Sequence, residues 1–290
     1  MLLSRKGFFF ILFFLFFFIN SLEGVSIRLE EASIKLNIPA GTTYTGTIKV
    51  YNQENQPVKV KVYLEDWAYT DEHDGSKNFF PKGSTDFSCA PWITFSPEEL
   101  ILPAYGVSKV NYTLKLPPDA QGGYYAVMFF ESETIFPKEN VTADMVTSTV
   151  NLKVRLGCLF FVEAKDTVKR LAELSDLSIE KNKYFLISLN LKNIGNTYIV
   201  AGGTYHIMDK KGIIYARGEF NDVYTFPKDS AKLTAVCKES LPKGEYSLVL
   251  TLNLAKDQIE RGFVRAPVVV KEAEIEIGEE GEVLRVGELK

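Results

Sequence analysis

Histidine is almost missing from this sequence: His73 and His206 are the only two in 290 residues. Imidazole-based nucleophilic catalysis therefore has little to work with, and neither surrounding matches a nucleophile motif. Cysteine is scarce too, with Cys89, Cys158 and Cys237 alone. With only two histidines beside them and no ligand spacing, a zinc cluster is not expected, and no cofactor-binding motif is present, so no cofactor is expected. An odd number of thiols leaves at least one without a partner in the chain. Cys89 and Cys158 lie in the same half and can pair; Cys237 sits in a strand-like run and reads as a small hydrophobe. An excess of positive charge is also lacking: 33 basic residues stand against 37 acidic ones, a formal net of -4. A protein that neutralises nucleic-acid phosphates needs the opposite balance, so no nucleic acid is expected as partner. Long stretches of helical period are absent, as is any second apolar span of membrane length.

What is present begins with an address. Arg5 and Lys6 precede an unbroken apolar run over residues 8–19, mostly phenylalanine, which ends at Asn20 and Ser21. A basic start, a short apolar stretch and small or polar residues make a secretory signal peptide. As a helix the run rises only about 18 Å, short of the ~30 Å hydrocarbon layer. Cleavage is expected near Gly24, and contact with membrane is expected only through this segment if it stays uncleaved. The product is periplasmic, secreted or at the cell surface.

The rest reads as strands. Residues 34–38, 47–51 and 58–64 alternate apolar and polar side chains, the period of a strand with one buried face. Gly, Pro and Asn clusters at 39–41, 52–57, 117–123 and 209–212 separate the runs. Many short strands at regular spacing indicate an all-β chain of immunoglobulin-like sandwiches. The two halves repeat one order of features. A strand ends at Asn52 or Asn193, a turn and a second strand follow, and a later strand leads into Pro, then Gly-x-Tyr at Tyr125 or Tyr246. Gly-x-Tyr before an apolar strand suggests a tyrosine corner, in which the hydroxyl ties down its own loop. The expected organisation is two tandem sandwiches at 25–165 and 172–272, after a signal peptide at 1–24. Residues 166–171 link them, and 273–290 follow as an acidic tail. Val168, Leu171, Leu174 and Leu177 have helical spacing within 166–177; a short helix fits that spacing, but a bridge between the two domains is the expectation.

The first half is longer than the second by about twenty residues, which fit best at 69–91, a polar and Gly-rich stretch beyond ordinary loop length. Its Asp71, Glu72, His73 and Asp74 read as a solvated turn, since the spacing does not match a calcium loop. The tail 273–290 holds six acidic and two basic residues and is expected to fray or to form a weak hairpin. Asn111 and Asn140 head formal glycosylation sequons of low specificity.

Residues 146–156 carry the sharpest pattern. Val150, Leu152, Val154 and Leu156 share one face; Asn151, Lys153 and Arg155 share the other. The plain reading is the last strand of the first sandwich. The sharper one, set beside it, is an edge strand that completes another protein's sheet.

Several of these pieces, in order, make the first half similar to the N-terminal domain of periplasmic pilus-assembly chaperones. They are Val25-Ser-Ile, Thr47-Ile-Lys-Val-Tyr-Asn52, Pro57, Trp67, Trp92-Ile93, Pro97, Leu102-Pro103, the strand at 107–116, Tyr125-Ala-Val-Met-Phe-Phe130 and Lys153-Val-Arg-Leu156. The second half matches in layout, chiefly at 191–198. The resemblance implies two immunoglobulin-like domains and two basic residues that hold a subunit's terminal carboxylate, a charge-assisted contact. It assigns Arg155 to the last strand and leaves Arg28 and Lys35 as candidates on the first.

The chain thus reads as an exported, non-enzymatic chaperone-like protein that binds an envelope or pilus subunit by strand donation from its first domain. The candidate contact residues are Val150, Leu152, Lys153, Val154, Arg155, Leu156, Arg28 and Lys35. The alternative is a structural or adhesion scaffold of the cell surface, with partners bound through loops such as 69–91.

Overall fold

The computed structural model describes residues 27–134, 152–259 and 267–290. The signal segment, Asn140 and Val150 lie outside the described residues. The described chain is all-β and forms two sandwiches in sequence.

In the first sandwich, one sheet runs β1 (Ile27–Leu29), β3 (Thr43–Asn52), β8 (Val107–Lys115), β6 (Ile93–Ser96). The facing sheet runs β2 (Ser33–Ile38), β10 (Leu152–Ala164), β9 (Gly123–Thr134), β4 (Val58–Tyr69), β5 (Lys77–Pro81), with β7 (Glu99–Leu102) also on β4. Val60, Val62 and Leu64 of β4 face inward while Lys59 and Lys61 face water, as the alternation requires. They meet Val50, Val110, Leu114, Met128 and Phe160 in one core.

The second sandwich pairs a sheet of β11 (Ala172–Lys181), β12 (Phe185–Asn193) and β16 (Ser230–Cys237) with a second sheet. That sheet runs β14 (Ile214–Glu219), β13 (Ile199–Met208), β17 (Gly244–Asn253), β18 (Val268–Ile277), β19 (Val283–Val286), with β15 (Val223–Thr225) on β13. A one-turn helix, α1 (Lys256–Ile259), follows β17.

The repeat seen in sequence is a repeat of bonding. Asn52 Nδ2 donates to the Gln56 carbonyl at 2.8 Å, and its Oδ1 accepts from the Glu54 N–H at 2.9 Å. Asn193 Nδ2 donates to the Thr197 carbonyl at 2.9 Å, and its Oδ1 accepts from the Gly195 N–H at 3.0 Å. Both side chains are buried, so each holds its turn with bonds that water does not replace. Asn193→Ala is expected to lower unfolding free energy by about 2–3 kcal/mol, because buried turn groups lose their partner. A urea titration with an unchanged midpoint would sink that account.

Three expectations are corrected. Residues 172–181 form β11, not a helix. A register shift between Ser175 and Ser178, with Asp176 at φ 53°, puts inward residues three apart and imitates helical spacing. Leu174 and Leu177 pack on the second core. Of the two readings of the acidic tail, fraying is corrected and the hairpin is what forms: β18 runs through Ile277, with Ala273, Ile275 and Ile277 buried between outward glutamates, and β19 folds back on it. Cys89 and Cys158 do not pair; all three thiols are free and buried. Burial pushes the Cys158 thiol up to about 12 and those of Cys89 and Cys237 upward as well. Since the thiolate is the reactive form, the native chain is expected to resist a disulfide reagent at pH 8 and to titrate fully in guanidinium. Rapid labelling of the native chain would contradict this burial.

Candidate partner-binding edge and interdomain cleft

β10 is the strand on which most of the candidate residues lie. Along one side it pairs with β9 over its whole length, from Leu152 opposite Thr134 to Glu163 opposite Gly123. On the other side it pairs in parallel with β2, but only from Leu159 to Ala164. The bonding parity of that second side is set. Leu159 N–H donates to the Ala32 carbonyl and Lys165 N–H to the Ile38 carbonyl, whereas Ala164 N–H donates the other way, to Gly122. Backbone groups alternate sides along a strand. Arg155 and Gly157 therefore turn their N–H and C=O groups to the side away from β9, where no strand among the described residues covers 154–158. Among the described residues this is an open sheet edge, of the kind that accepts a further strand.

The side chains there divide by face. Leu156 packs against the first core and Val154 is half-buried. Lys153 and Arg155 face out. Lys153 Nζ lies 3.6 Å from Glu131. The Arg155 guanidinium stacks 3.9 Å above the Phe129 ring, stands 5.3 Å from Phe79 and meets Glu65 at 3.4 Å. Its hydrogen bond to Tyr63 and the two glutamates hold its pKa above the usual arginine value. Gly157 makes the stack possible, because a Cβ there would meet the Phe129 ring at 3.0 Å.

The three candidate cations do not converge. Arg28 sits on β1 in the opposite sheet, 4.2 Å over Tyr51. Lys35, on β2, is in register with Phe161. That is six residues along β10 from Arg155, about 20 Å at strand rise.

Lys35 lies in the cleft between sandwiches. Its Nζ donates to Tyr198 Oη at 3.0 Å and forms an ion pair with Asp257 of α1. Tyr198 Oη in turn donates to the same Asp257 oxygen at 3.0 Å. Beside them is a cavity of about 170 Å³ lined by Lys35, Leu36, Asn37, Phe161, Tyr198 and Gln258, with Glu163 at its wall. Glu163 pairs with Arg170 and accepts from Thr197 Oγ1 at 2.8 Å.

Behind the cleft the sandwiches share a third core. Trp67, Tyr69, Tyr125 and Phe161 of the first pack on Tyr198, Val200 and Phe226 of the second. Phe226 stacks on Tyr125 at 4.2 Å with planes 12° apart. Tyr125 does not close its own loop, as its motif suggested. Its hydroxyl accepts from the Tyr198 N–H at 2.7 Å, across the seam. The local tie is made by the neighbouring Tyr124, whose hydroxyl accepts from Gln121 N–H at 3.3 Å. Tyr246 does bond back, donating to the Pro242 carbonyl at 2.7 Å.

The 69–91 insert belongs to the same seam. β5 pairs it with β4, and its tip exchanges backbone contacts with the second sandwich. Tyr224 N–H donates to the His73 carbonyl at 2.9 Å, and His73 Nδ1 meets the Tyr224 carbonyl at 3.0 Å. Of the seam's residues, Trp67, His73 and Tyr125 were noted in the sequence for other reasons, and Lys35 as a candidate contact. Asp257, Glu163 and Arg170 were not: Asp257 meets Lys35 from 222 positions away, and no sequence motif marks the Glu163–Arg170 pair. Among the described residues there is no cluster of metal-ligating side chains and no helix long and apolar enough to cross a membrane.

No family model matches the chain, and no curated protein matches it. Solved structures do. A chain from the chaperone–tip adhesin complex of CFA/I fimbriae biogenesis is 14% identical with a TM-score of 0.49, over 85% of this chain and 98% of that one. The class 5 fimbriae chaperone CfaA is 13% identical at a TM-score of 0.47, over 85% and 98%. The E. coli chaperone DraB is 14% identical at 0.40, over 92% and 98%.

Proposed function

We propose that this chain is an exported, non-enzymatic chaperone-like protein that holds an envelope or pilus subunit by adding a strand of it to the open edge of β10. The observation that carries the reading is that edge. Arg155 and Gly157 offer backbone donors and acceptors, and Val154 and Leu156 line its inner face. An incoming strand gains backbone bonds and covers half-buried apolar side chains at once. Lys35 is the cation we assign to a terminal carboxylate, because it stands in a cleft with an adjoining cavity. Arg155 and Lys153 flank the edge and select the strand's outward residues. The scaffold reading needs the 69–91 loop available to partners, and its contacts with Tyr224 weigh against that.

The test is crosslinked capture from the native envelope. Among the described residues no strand accepts the Arg155 N–H, so Arg155→Pro removes an edge donor without breaking the ladder they form. One small subunit is expected to copurify with wild type and with Arg155→Ala, and to be lost with Arg155→Pro. If the proline variant, shown folded by circular dichroism, captures it as well as wild type does, strand addition at this edge is wrong.

A further inference from the structure

We propose that Asp257 is an internal carboxylate that occupies Lys35 in the free protein and is displaced when a bound polypeptide's terminal carboxylate takes its place. The inference rests on the assignment of Lys35 made above and adds a competitor built into the second sandwich.

Three observations carry it. First, the two groups that would hold an incoming carboxylate, Lys35 Nζ and Tyr198 Oη, both point at one oxygen of Asp257. Second, the other oxygen of that carboxylate, Oδ1, is buried with no hydrogen-bond partner among the described residues. A carboxylate normally fills both oxygens when buried, so this one is held by half of its capacity. Third, the support is small. Asp257 sits on a single turn, α1, whose neighbouring Lys256 is tied to Asp222 at 2.7 Å. A side-chain rotation moves the carboxylate without unpacking a strand.

The cavity beside Lys35 says what displaces it. Its walls are mainly apolar, from Leu36 and Phe161, with the Asn37 and Gln258 amides at the edge. Its volume of about 170 Å³ is that of a ring-sized group; a cavity of about 150 Å³ takes up benzene. The occupant is therefore a polypeptide end with an apolar last side chain in the cavity and its carboxylate on Lys35. Both carboxylates cannot share the site, because Lys35 is a single cation and Arg170, engaged with Glu163, offers no second one. Binding is an exchange of one carboxylate for another. The apparent affinity of wild type is lowered by the fraction of molecules in which Asp257 holds the lysine.

The probe is the acetylated peptide Gly-Ser-Gly-Ser-Phe with a free terminal carboxylate, compared with its C-terminal amide, titrated into the full chain by calorimetry. Asp257→Asn keeps the side chain's size. It is expected to bind the acid about tenfold more tightly than wild type does, with little change for the amide. Lys35→Met is expected to remove the preference for the acid in both backgrounds. If Asp257→Asn leaves acid binding unchanged while Lys35→Met abolishes it, the exchange is wrong and the assignment of Lys35 stands. If acid and amide bind alike, or neither binds, in wild type and in Asp257→Asn, both fall.

Discussion

Trp67→Ala lowers the unfolding free energy by about 3–5 kcal/mol, the range for removing a large buried aromatic, and it uncouples the two sandwiches. Trp67 is 1% exposed. Its ring stands 5.2 Å from Tyr69, 5.8 Å from Tyr125, 5.3 Å from Phe161 and 5.1 Å from Phe226, so it touches both halves. Its Nε1 donates to the Ala126 carbonyl at 3.0 Å, and that acceptor loses its side-chain donor as well. Edge-to-face aromatic contacts add to the loss of buried area. Because Phe226 comes from the second sandwich, the cavity opens at the seam and not within either core. Hydrogen exchange read by mass spectrometry separates the outcomes. Wild type is expected to open both sandwiches in one cooperative step. The variant is expected to open β11–β19 and the first sandwich at different denaturant concentrations. A variant with the wild-type midpoint and a single step would show that the seam contributes nothing to cooperativity.

The second large effect concerns charge. Glu163→Ala is expected to cost about 3–5 kcal/mol, because it strands a buried guanidinium. The Arg170 side chain is only 10% exposed and lies on the Tyr198 ring, 5.5 Å from its centre. Its Nε already lacks a partner among the described residues. Removing the carboxylate leaves a cation that water reaches only in part, and Thr197 Oγ1 loses the carboxylate it donates to. The pair as a whole is another matter. Desolvation offsets much of its attraction, so Glu163→Leu combined with Arg170→Met should recover most of the loss. A double-mutant cycle by urea denaturation measures the difference. Equal losses for the single and double variants would mean that the cost is packing and not an unpaired charge.

How far the sequence foretold these features depends on the reach of each signal. Alternation over 47–51 and 58–64 is a local pattern, and it placed β3 and β4. The Asn52 and Asn193 turns are local in part: each side chain bonds its own turn within four residues, but Asn52 also reaches the Pro103 carbonyl and Asn193 the Thr225 carbonyl. Where local signals failed, a second effect overlay the period. In β18 outward glutamates dominate the composition and hide the inward Ala273, Ile275 and Ile277. In β11 a bulge shifts the alternation. The seam was out of reach in principle: Lys35 and Asp257 are 222 positions apart, and Tyr125 has an ordinary corner motif whose hydroxyl is used elsewhere. The strand at 152–156 was legible as a strand and was read as an edge, but which of its residues lack a neighbour was not, because that depends on where β2 ends along β10.

The shared aromatic core has a consequence for association. Two domains on a loose hinge lose relative freedom when a partner bridges them, and that lost entropy weakens the complex. Here Trp67, Tyr125 and Phe226 have already fixed the angle between the β10 edge and the Lys35 cleft before any partner arrives. Preorganisation of this kind should appear as long residence time more than as fast capture, and a partner shaped for a different angle is rejected by geometry alone.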